Sequence, residues 1–220
     1  MSDDQRAKEF TPRQHDVLEC ALSLLVAGGE RVLTTARVAR TANCSKESLY
    51  RWFGDREGLL AAMIAHQASK VRTFSDNGAP MDRVQFRAQL VGFAHDLLQV
   101  LGGDVSLALN RLAIGQASRE ESRLGQLLVE QGRRRIDEGA AALLEAGRRC
   151  QHIEFTDVDE TYRTLYGLVV RDLHVRMLLG EDEIRKPKNF GEMAERAVDQ
   201  FFALYGVQEK KRMGPRVRAV

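Results

Sequence analysis

The sequence has few of the residues from which a metal centre is built. Its 220 residues include three cysteines and five histidines, and no CxxC or HxxxH pair occurs among them. Cys20, Cys44 and Cys150 are odd in number and far apart in the chain. Protein metal sites commonly use closely spaced ligands of these types. The sequence therefore predicts no metal and no cofactor, and it leaves open whether Cys150, which follows two arginines, is redox-active.

Long apolar runs and alternating strand patterns are also missing. No run approaches the roughly 20 apolar residues of a membrane span, and no leader precedes the first predicted helix. No stretch alternates apolar and polar residues over any length, so we expect an all-α, cytoplasmic protein with no membrane partner. No acid–base or nucleophile constellation occurs at helix spacing, and an all-helical enzyme with catalytic residues is therefore the least favoured class of function.

The net charge is low for a nucleic-acid-binding protein. It is +2 overall, and the segment Val207–Val220 carries five cations against one carboxylate. The rest of the chain is therefore slightly acidic. Affinity for DNA would have to come from cations placed locally, and the basic tail would add nonspecific affinity at most.

The stretch Thr34–Phe53 is predicted to form a helix-turn-helix. One short amphipathic helix is capped at Thr34 or Thr35 and a second at Ser45. Asn43 lies at the sharp turn between them, where a left-handed conformation is needed and asparagine tolerates it. Small apolar residues pack the angle between the helices. The second helix then presents an outward face that suits a major groove, formed by Lys46, Glu47, Ser48, Tyr50, Arg51 and Trp52.

A set of residues between Val17 and Leu60 follows one pattern in register: Gly28, Gly29, Thr34, Thr35, Ala39, Ser45, Lys46, Leu49, Tyr50, Phe53, Arg56, Glu57, Leu59 and Leu60. In this pattern the chain resembles the DNA-binding domain of the TetR family of bacterial one-component repressors. Asn43, Cys44, Trp52 and Arg56 stand where the family usually has Gly, Val, His and Lys. The Trp52 indole N–H still donates a hydrogen bond, but it neither accepts nor titrates.

The resemblance implies a homodimer that presents two recognition helices to successive major grooves of a pseudo-palindromic, double-stranded operator. The predicted DNA-binding residues are Thr34, Thr35, Arg37, Ser45, Lys46, Glu47, Ser48, Tyr50, Arg51, Trp52 and Arg56. Thr35, Tyr50, Trp52 and Arg56 are expected to hold phosphates. Lys46 and Ser48, with Arg37 nearby, are expected to contact base edges. Two alternatives stay open: Tyr50 belongs mainly to the core, or Arg51 pairs with Glu47.

Three regions are predicted: a DNA-binding domain at 1–57, with residues 1–10 disordered, a C-terminal ligand-binding and dimerisation domain at 58–206, and a basic tail at 207–220. Apolar periodicity places the helices at Thr11–Gly28, Gly54–Phe74, Met81–Leu101, Val105–Gln116, Arg119–Arg149, Asp157–Leu179 and Asn189–Tyr205. In the family, the helix that begins near Gly54 links the two domains, so its tilt would change the spacing of the two reading heads.

The last two predicted helices are apolar over more than one face, which requires two packing partners. A four-helix bundle between two subunits supplies the second partner. The predicted dimer interface consists of Leu165, Val169, Leu173, Met177, Val198, Phe201 and Phe202. A weaker resemblance to TetR-family C-terminal domains rests on Ala197, Val198, Phe201, Tyr205 and Gly206.

The resemblance also implies a small-molecule effector of unknown identity, bound inside the C-terminal bundle. The predicted pocket residues are Phe93, Leu97, Leu101, Leu112 and Tyr166, which otherwise simply fill a core. Polar residues that interrupt apolar faces there are His95, Asn110, Arg111, Tyr162, Tyr166, Asp172 and His174. The leading function is a ligand-released repressor. The alternative is the same fold without a small-molecule effector, responding to a protein partner, and it predicts a bundle without a ligand-sized cavity.

Overall fold

The computed structural model describes residues 10–72, 74–117, 123–181 and 188–207, and within these ranges the chain forms eleven α-helices. They are α1 (Pro12–Gly28), α2 (Thr35–Thr41), α3 (Lys46–Phe53), α4 (Arg56–Ala68), α5 (Arg83–Gly102), α6 (Asp104–Gln116), α7 (Leu124–Leu127), α8 (Arg134–Arg149), α9 (Val158–Val170), α10 (Leu173–Leu178) and α11 (Lys188–Tyr205). The one bridge of β type in these residues joins Ile153 to Gly206. The predicted all-α class is confirmed.

Local signals fix the ends of the first helices. Thr11 and Gln14 form a capping box at the start of α1, and Pro12 occupies its first turn, where a missing N–H costs nothing. Asp55 caps α4 by accepting a hydrogen bond from the Gly58 amide at 2.8 Å. Helix α1 therefore begins one residue after its predicted start at Thr11, and α4 begins two residues after its predicted start at Gly54.

Two apolar clusters divide the chain, and α4 contributes to both. The N-terminal cluster packs α1, α2 and α3 against Leu59, Leu60 and Ile64 of α4, and it also includes residues near the ends of α6 and α7. The C-terminal cluster contains Ala68 and joins α5, α8, α9, α10 and α11. The helix that follows the helix-turn-helix is thus packed into the C-terminal bundle at its far end.

Three predicted helices differ from the structure. The helix expected to reach Phe74 ends at Ala68, where the Ser69 hydroxyl donates to the His66 carbonyl at 2.8 Å. The helix expected at Arg119–Arg149 contains a π-helical segment, Leu128–Arg133, between α7 and α8, and its predicted first residues lie outside the described ranges. The helix expected at Asp157–Leu179 is broken at Arg171, whose φ is 49°.

Most of the predicted dimer interface is buried within a single chain. Leu165, Val169, Leu173, Met177, Val198 and Phe201 are each at most 4% exposed, and all belong to the C-terminal cluster. Because the chain's own helices already cover these side chains, they do not offer a face to a second subunit. Of the predicted set only Phe202 is partly exposed.

Two predictions concern segments at the chain ends. Residues 1–9 and 208–220 lie outside the described residues, so the structure does not test disorder of the first or the charge of the second. Phe10 is described, and its ring lies 6.3 Å from the ring of Phe53. In the described residues no single helix has the length and hydropathy of a membrane span. Helices α5 and α6 have that length and hydropathy only when taken together, and the pair bends by 61°.

Candidate DNA-binding face and effector cavity

Helices α2 and α3 form the predicted helix-turn-helix. The Thr34 side chain accepts a hydrogen bond from the Arg37 amide at 3.2 Å, and Ser45 accepts one from the Ser48 amide at 3.0 Å. Asn43 has a φ of 50°, so the predicted left-handed turn is confirmed. The two caps and the turn fix where each helix begins. They aim the N-terminal end of α3 away from the core.

Arg13 of α1 clamps this turn. Its Nη2 donates to the Ala42 carbonyl at 2.6 Å and to the Asn43 carbonyl at 2.9 Å. These carbonyls have no partner within α2, because the helix ends there. The sequence analysis missed Arg13, since nothing in the local pattern links residues about 30 positions apart.

The predicted DNA-binding side chains form one exposed surface. The members that are exposed are Thr34, Arg37, Ser45, Lys46, Glu47, Tyr50, Arg51 and Arg56, and the half-buried ones are Thr35, Ser48 and Trp52. Between Thr34 and Arg56 the sequence carries five cations and two carboxylates. The surface is therefore locally positive on a chain of low net charge, which favours contact with phosphate.

Two alternatives from the sequence can be compared with this geometry. Tyr50 is 52% exposed, so it is not a core residue. The guanidinium carbon of Arg51 lies 6.0 Å from the centre of the Trp52 ring. Among the described residues Arg51 and Glu47 form no ion pair. Arg51 therefore lies within cation–π distance of the Trp52 ring and does not pair with Glu47.

A cavity of about 340 Å³ lies between α4 and the C-terminal bundle. Leu97, Leu101 and Tyr166 line it as the sequence predicted, whereas Phe93 and Leu112 do not. Phe93 is buried in the C-terminal cluster, and Leu112 packs against the N-terminal one. The other lining residues are Ile64, Gln67, Ala68, Val100, Ser106, Leu109, Asn110, Leu128, Val129, Gly132, Arg133, Ile136, Asp137, Tyr162, His174 and Leu178.

The cavity touches both the helix that follows α3 and the π-helical segment. Gln67 and Ile64 project from α4, and Gly132 lies in the segment Leu128–Arg133. The position where a Gly132 Cβ would stand is 3.2 Å from Cγ2 of Ile64, so the two elements pack closely. A molecule in the cavity would contact α4 directly.

Four buried polar atoms of the lining have no hydrogen-bond partner within the described chain: Oε1 of Gln67, Oδ1 of Asp137, the Tyr162 hydroxyl and Nε2 of His174. Burial, with the nearby carboxylate of Asp137, raises the pKa of Tyr162. Burial also raises the pKa of Tyr166 and lowers the pKa of His174. Tyr162 and His174 are therefore uncharged near neutral pH.

The other polar residues singled out in the sequence have local partners. Asn110 donates to the Ser106 carbonyl at 2.8 Å. Arg111 donates to the carbonyls of Met177 and Leu178 and so holds the end of α10 against α6. The sequence analysis missed Gln67 and Asp137, because each resembles an ordinary solvent-facing polar residue of an amphipathic helix. No group of three or more potential metal ligands occurs among the described residues.

An exposed helix-turn-helix that α4 joins to a helical bundle with a cavity is the arrangement of a one-component DNA-binding regulator. Residues 17–63 match the N-terminal domain of the TetR-type bacterial regulatory proteins, and residues 88–207 match the C-terminal domain of AefR-like transcriptional repressors. The chain belongs to the TetR family of transcriptional regulators.

Solved structures agree with this assignment. The crystal structure of a TetR transcriptional regulator from Agrobacterium tumefaciens is 59% identical, with a TM-score of 0.80, and the match covers 90% of this chain and 97% of that one. The flavonoid-responsive regulator FrrA is 22% identical, with a TM-score of 0.64, over 90% of this chain and 98% of that one, a likeness in fold alone.

A curated relative matches only the N-terminal region. The uncharacterised HTH-type transcriptional regulator YvkB of Bacillus subtilis (strain 168) is 34% identical over 58 residues. This match spans 26% of the present chain and 31% of the relative. The likeness to YvkB therefore covers less than a third of either protein.

Proposed function

We propose that this chain is a homodimeric repressor of the cytoplasm that binds a pseudo-palindromic operator through α2 and α3 and is released by a small molecule in the cavity. The observation that carries the proposal is the contact of one helix with both sites. The start of α4 follows α3 through the Asp55 cap, and Ile64, Gln67 and Ala68 near its end line the cavity. A ligand that favours one tilt of α4 would shift the population of two reading-head spacings.

The subunit contact is proposed to use the outer faces of α9, α10 and α11. Leu168 is partly exposed, and Val175, Leu179 and Leu204 are exposed. Helices α9 and α11 lie side by side, where the Tyr205 hydroxyl donates to Thr164 at 3.2 Å. Two such pairs related by a two-fold axis would form a four-helix bundle and cover these side chains.

The second candidate is a regulator of the same fold that responds to a protein partner. That function predicts a bundle without a cavity of ligand size. Small-molecule sites usually have volumes of roughly 300–1,000 Å³. The cavity of about 340 Å³ between α4 and the bundle therefore favours the small-molecule effector.

Selection of genomic DNA fragments by the purified protein tests the operator. We expect enrichment of a pseudo-palindrome whose half-site centres lie about 34–36 Å apart, or a multiple of that distance. A Lys46→Ala variant should fail to enrich the same site. Arg134→Ala, which removes an exposed cation of α8, is the control and should enrich it normally. Equal enrichment by wild type and Lys46→Ala would contradict the proposed reading face.

A further inference from the structure

Four side chains of the cavity lining carry a buried polar atom without a hydrogen-bond partner. We call Gln67, Asp137, Tyr162 and His174 the polar end, since each lines the cavity and each has a buried, unpartnered polar atom. More than about 90% of buried polar groups in proteins are hydrogen-bonded, because leaving one unpaired destabilises the fold. The Tyr162 hydroxyl and the Asp137 carboxylate lie close enough to interact with each other. The polar atoms of Gln67 and His174 have no partner among the described residues, which indicates that a bound molecule supplies theirs.

The polar end is rich in hydrogen-bond acceptors. Oε1 of Gln67 and Oδ1 of Asp137 only accept. Gln67 is 8% exposed and Tyr162 is 6% exposed, so neither side chain is satisfied by bulk water. The Tyr162 hydroxyl and the neutral imidazole of His174 each accept or donate. A ligand that fits must therefore carry hydrogen-bond donors.

Charge at the polar end is balanced. Arg133 and Asp137 are the charged residues among the described lining, and Nε of Arg133 lies 3.6 Å from Oδ2 of Asp137. The Arg133 guanidinium also lies 5.0 Å from the centre of the Tyr166 ring, and its side chain is 55% exposed. Arg133 is thus engaged at the rim, and no buried cation remains to neutralise an anionic ligand. A carboxylate would face the unpaired oxygen of Asp137 and be repelled.

The remainder of the cavity is apolar. Leu97, Leu101, Ile136 and Leu178 line it from three different helices, and the ring of Tyr166 completes the wall. Such a surface favours a hydrophobic body that displaces water. A molecule that fits both the polar end and the apolar remainder of the cavity is apolar over most of its surface and carries a polar group.

We propose that the cavity binds uncharged molecules with an apolar body and at least one hydroxyl group, either alcohol or phenol, which donates to Gln67 or Asp137. This ligand class rests on the proposed function, because it describes the effector of the same site. The hydroxyl oxygen accepts in turn from Tyr162 or His174. Charged carboxylates and plain hydrocarbons of the same shape bind more weakly.

Three probes of one shape separate these possibilities: 2-naphthol, naphthalene and 2-naphthoate. Isothermal titration of the full chain at pH 7 should give an affinity for 2-naphthol at least about tenfold above that for either other probe, as one hydrogen bond to a charged or buried acceptor provides. Gln67→Met removes an acceptor at nearly constant volume. It should reduce the preference for 2-naphthol over naphthalene by about threefold or more.

The variant Tyr162→Phe should reduce the same preference, because it removes the hydroxyl at the polar end. Its matched control is Tyr205→Phe, whose hydroxyl bonds Thr164 outside the cavity lining. The control should leave all three affinities unchanged. Circular dichroism checks that each variant is folded, and naphthalene binding serves as a second check that the cavity is intact.

The outcomes distinguish the ligand class from the function on which it rests. Equal or tighter binding of naphthalene or 2-naphthoate overturns the ligand class while the cavity remains a binding site. So does a preference for 2-naphthol that neither Gln67→Met nor Tyr162→Phe reduces. If none of the probes binds, both the ligand class and the small-molecule effector are wrong. If 2-naphthol binds as expected but leaves operator affinity unchanged, only the release step of the proposed function fails.

Discussion

Lys46 and Tyr50 lie on the same exposed face of α3 but are expected to act on DNA differently. Tyr50→Phe removes a hydroxyl proposed to donate to phosphate, so affinity should fall about three- to tenfold for every sequence, as loss of one hydrogen bond implies. Lys46→Ala should instead lower discrimination at particular base pairs by about 1–3 kcal/mol. Fluorescence anisotropy with the selected site and its single-base variants measures both effects.

The control for both variants is Arg134→Ala, because Arg134 is an exposed cation on α8, far along the chain from the helix-turn-helix and outside the proposed subunit contact. It should leave affinity and discrimination unchanged. A uniform loss for Lys46→Ala would place that side chain on phosphate. No loss for either variant would remove α3 from the DNA interface.

Asp96 carries a pH-dependent part of the stability. Burial raises its pKa, but hydrogen bonds and charge from Arg72, with Nε at 2.5 Å, outweigh burial, and the pKa lies below its usual 3.8. A carboxyl whose folded pKa is lowered stabilises the fold above its ordinary pKa, and that stability is lost as the pH falls through the lowered value. Asp96→Asn should therefore cost about 1 kcal/mol at pH 7, and less at pH 3.

Urea unfolding at both pH values measures this difference. Asp199→Asn is the control: Asp199 pairs with Arg87 at 2.7 Å, but its side chain is 62% exposed, so the loss should be small at either pH. A cost for Asp96→Asn that is the same at pH 7 and pH 3 would show that the ion pair with Arg72 is not its source.

Residues whose roles depend only on positions nearby in the sequence could be predicted. The caps at Thr34 and Ser45 and the turn at Asn43 follow from rules that span three or four positions. Arg13 and Gln67 were missed because each acts on groups that are far away in sequence. Their side chains look like ordinary polar positions of amphipathic helices until the helices are packed together.

At the scale of elements, the packing of α8 against α5 depends on one glycine. A Cβ at Gly147 would overlap the ring of Phe86, which is fully buried and stacks on His152 at 5.6 Å. Gly147→Ala should therefore lower the stability by about 1–3 kcal/mol, despite its better helix propensity. A Cβ at Gly115 in α6 would meet nothing within 4 Å. Gly115→Ala should therefore leave the stability of the fold unchanged or raise it slightly.

Thermal unfolding of the two glycine variants side by side measures this contrast. Both substitutions add the same methyl group to a helix, so helix propensity alone would move both melting temperatures in the same direction. Opposite shifts are expected because only Gly147 faces a ring that has no room to move. A stabilised Gly147→Ala variant would mean that Phe86 repacks easily.

Element boundaries were predictable where capping residues or glycines mark them, but not within long helices. Arg171 breaks α9 from α10 with a positive φ, although neither glycine nor proline stands at that position. The π-helical segment Leu128–Arg133 likewise has no sequence signal that we recognise. The segment packs closely on α4, since a Cβ at Gly132 would lie 3.2 Å from Cγ2 of Ile64, and such packing between helices is not visible in the local sequence.

At the scale of the whole molecule, the last helices are apolar over more than one face, and the sequence therefore showed that they need two packing partners. It did not show which face packs within the chain and which faces the second subunit. The residues first assigned to the dimer interface, such as Leu165 and Phe201, form the core of one chain. Periodicity does not distinguish a helix's inner stripe from its outer one when both are apolar. The partly or fully exposed Leu168 and Leu204 are left for the second subunit.

Operator affinity should therefore depend on side chains far from DNA. Leu168→Arg and Leu204→Arg together place two cations on the proposed bundle face, where the symmetry axis would bring like charges together. Sedimentation at micromolar concentration should change from a species of twice 24.7 kDa to a monomer. Operator affinity should fall at least about a hundredfold, because one recognition helix replaces two linked ones.

Val26→Arg is the matched control for this variant, since Val26 is an exposed apolar residue at the end of α1. It should remain dimeric, and circular dichroism should show all the variants helical. A double variant that stays dimeric would place the subunit contact on another surface. A monomer that retains full operator affinity would mean that the exposed face of α3 binds DNA on its own, and the low net charge of the chain argues against that result.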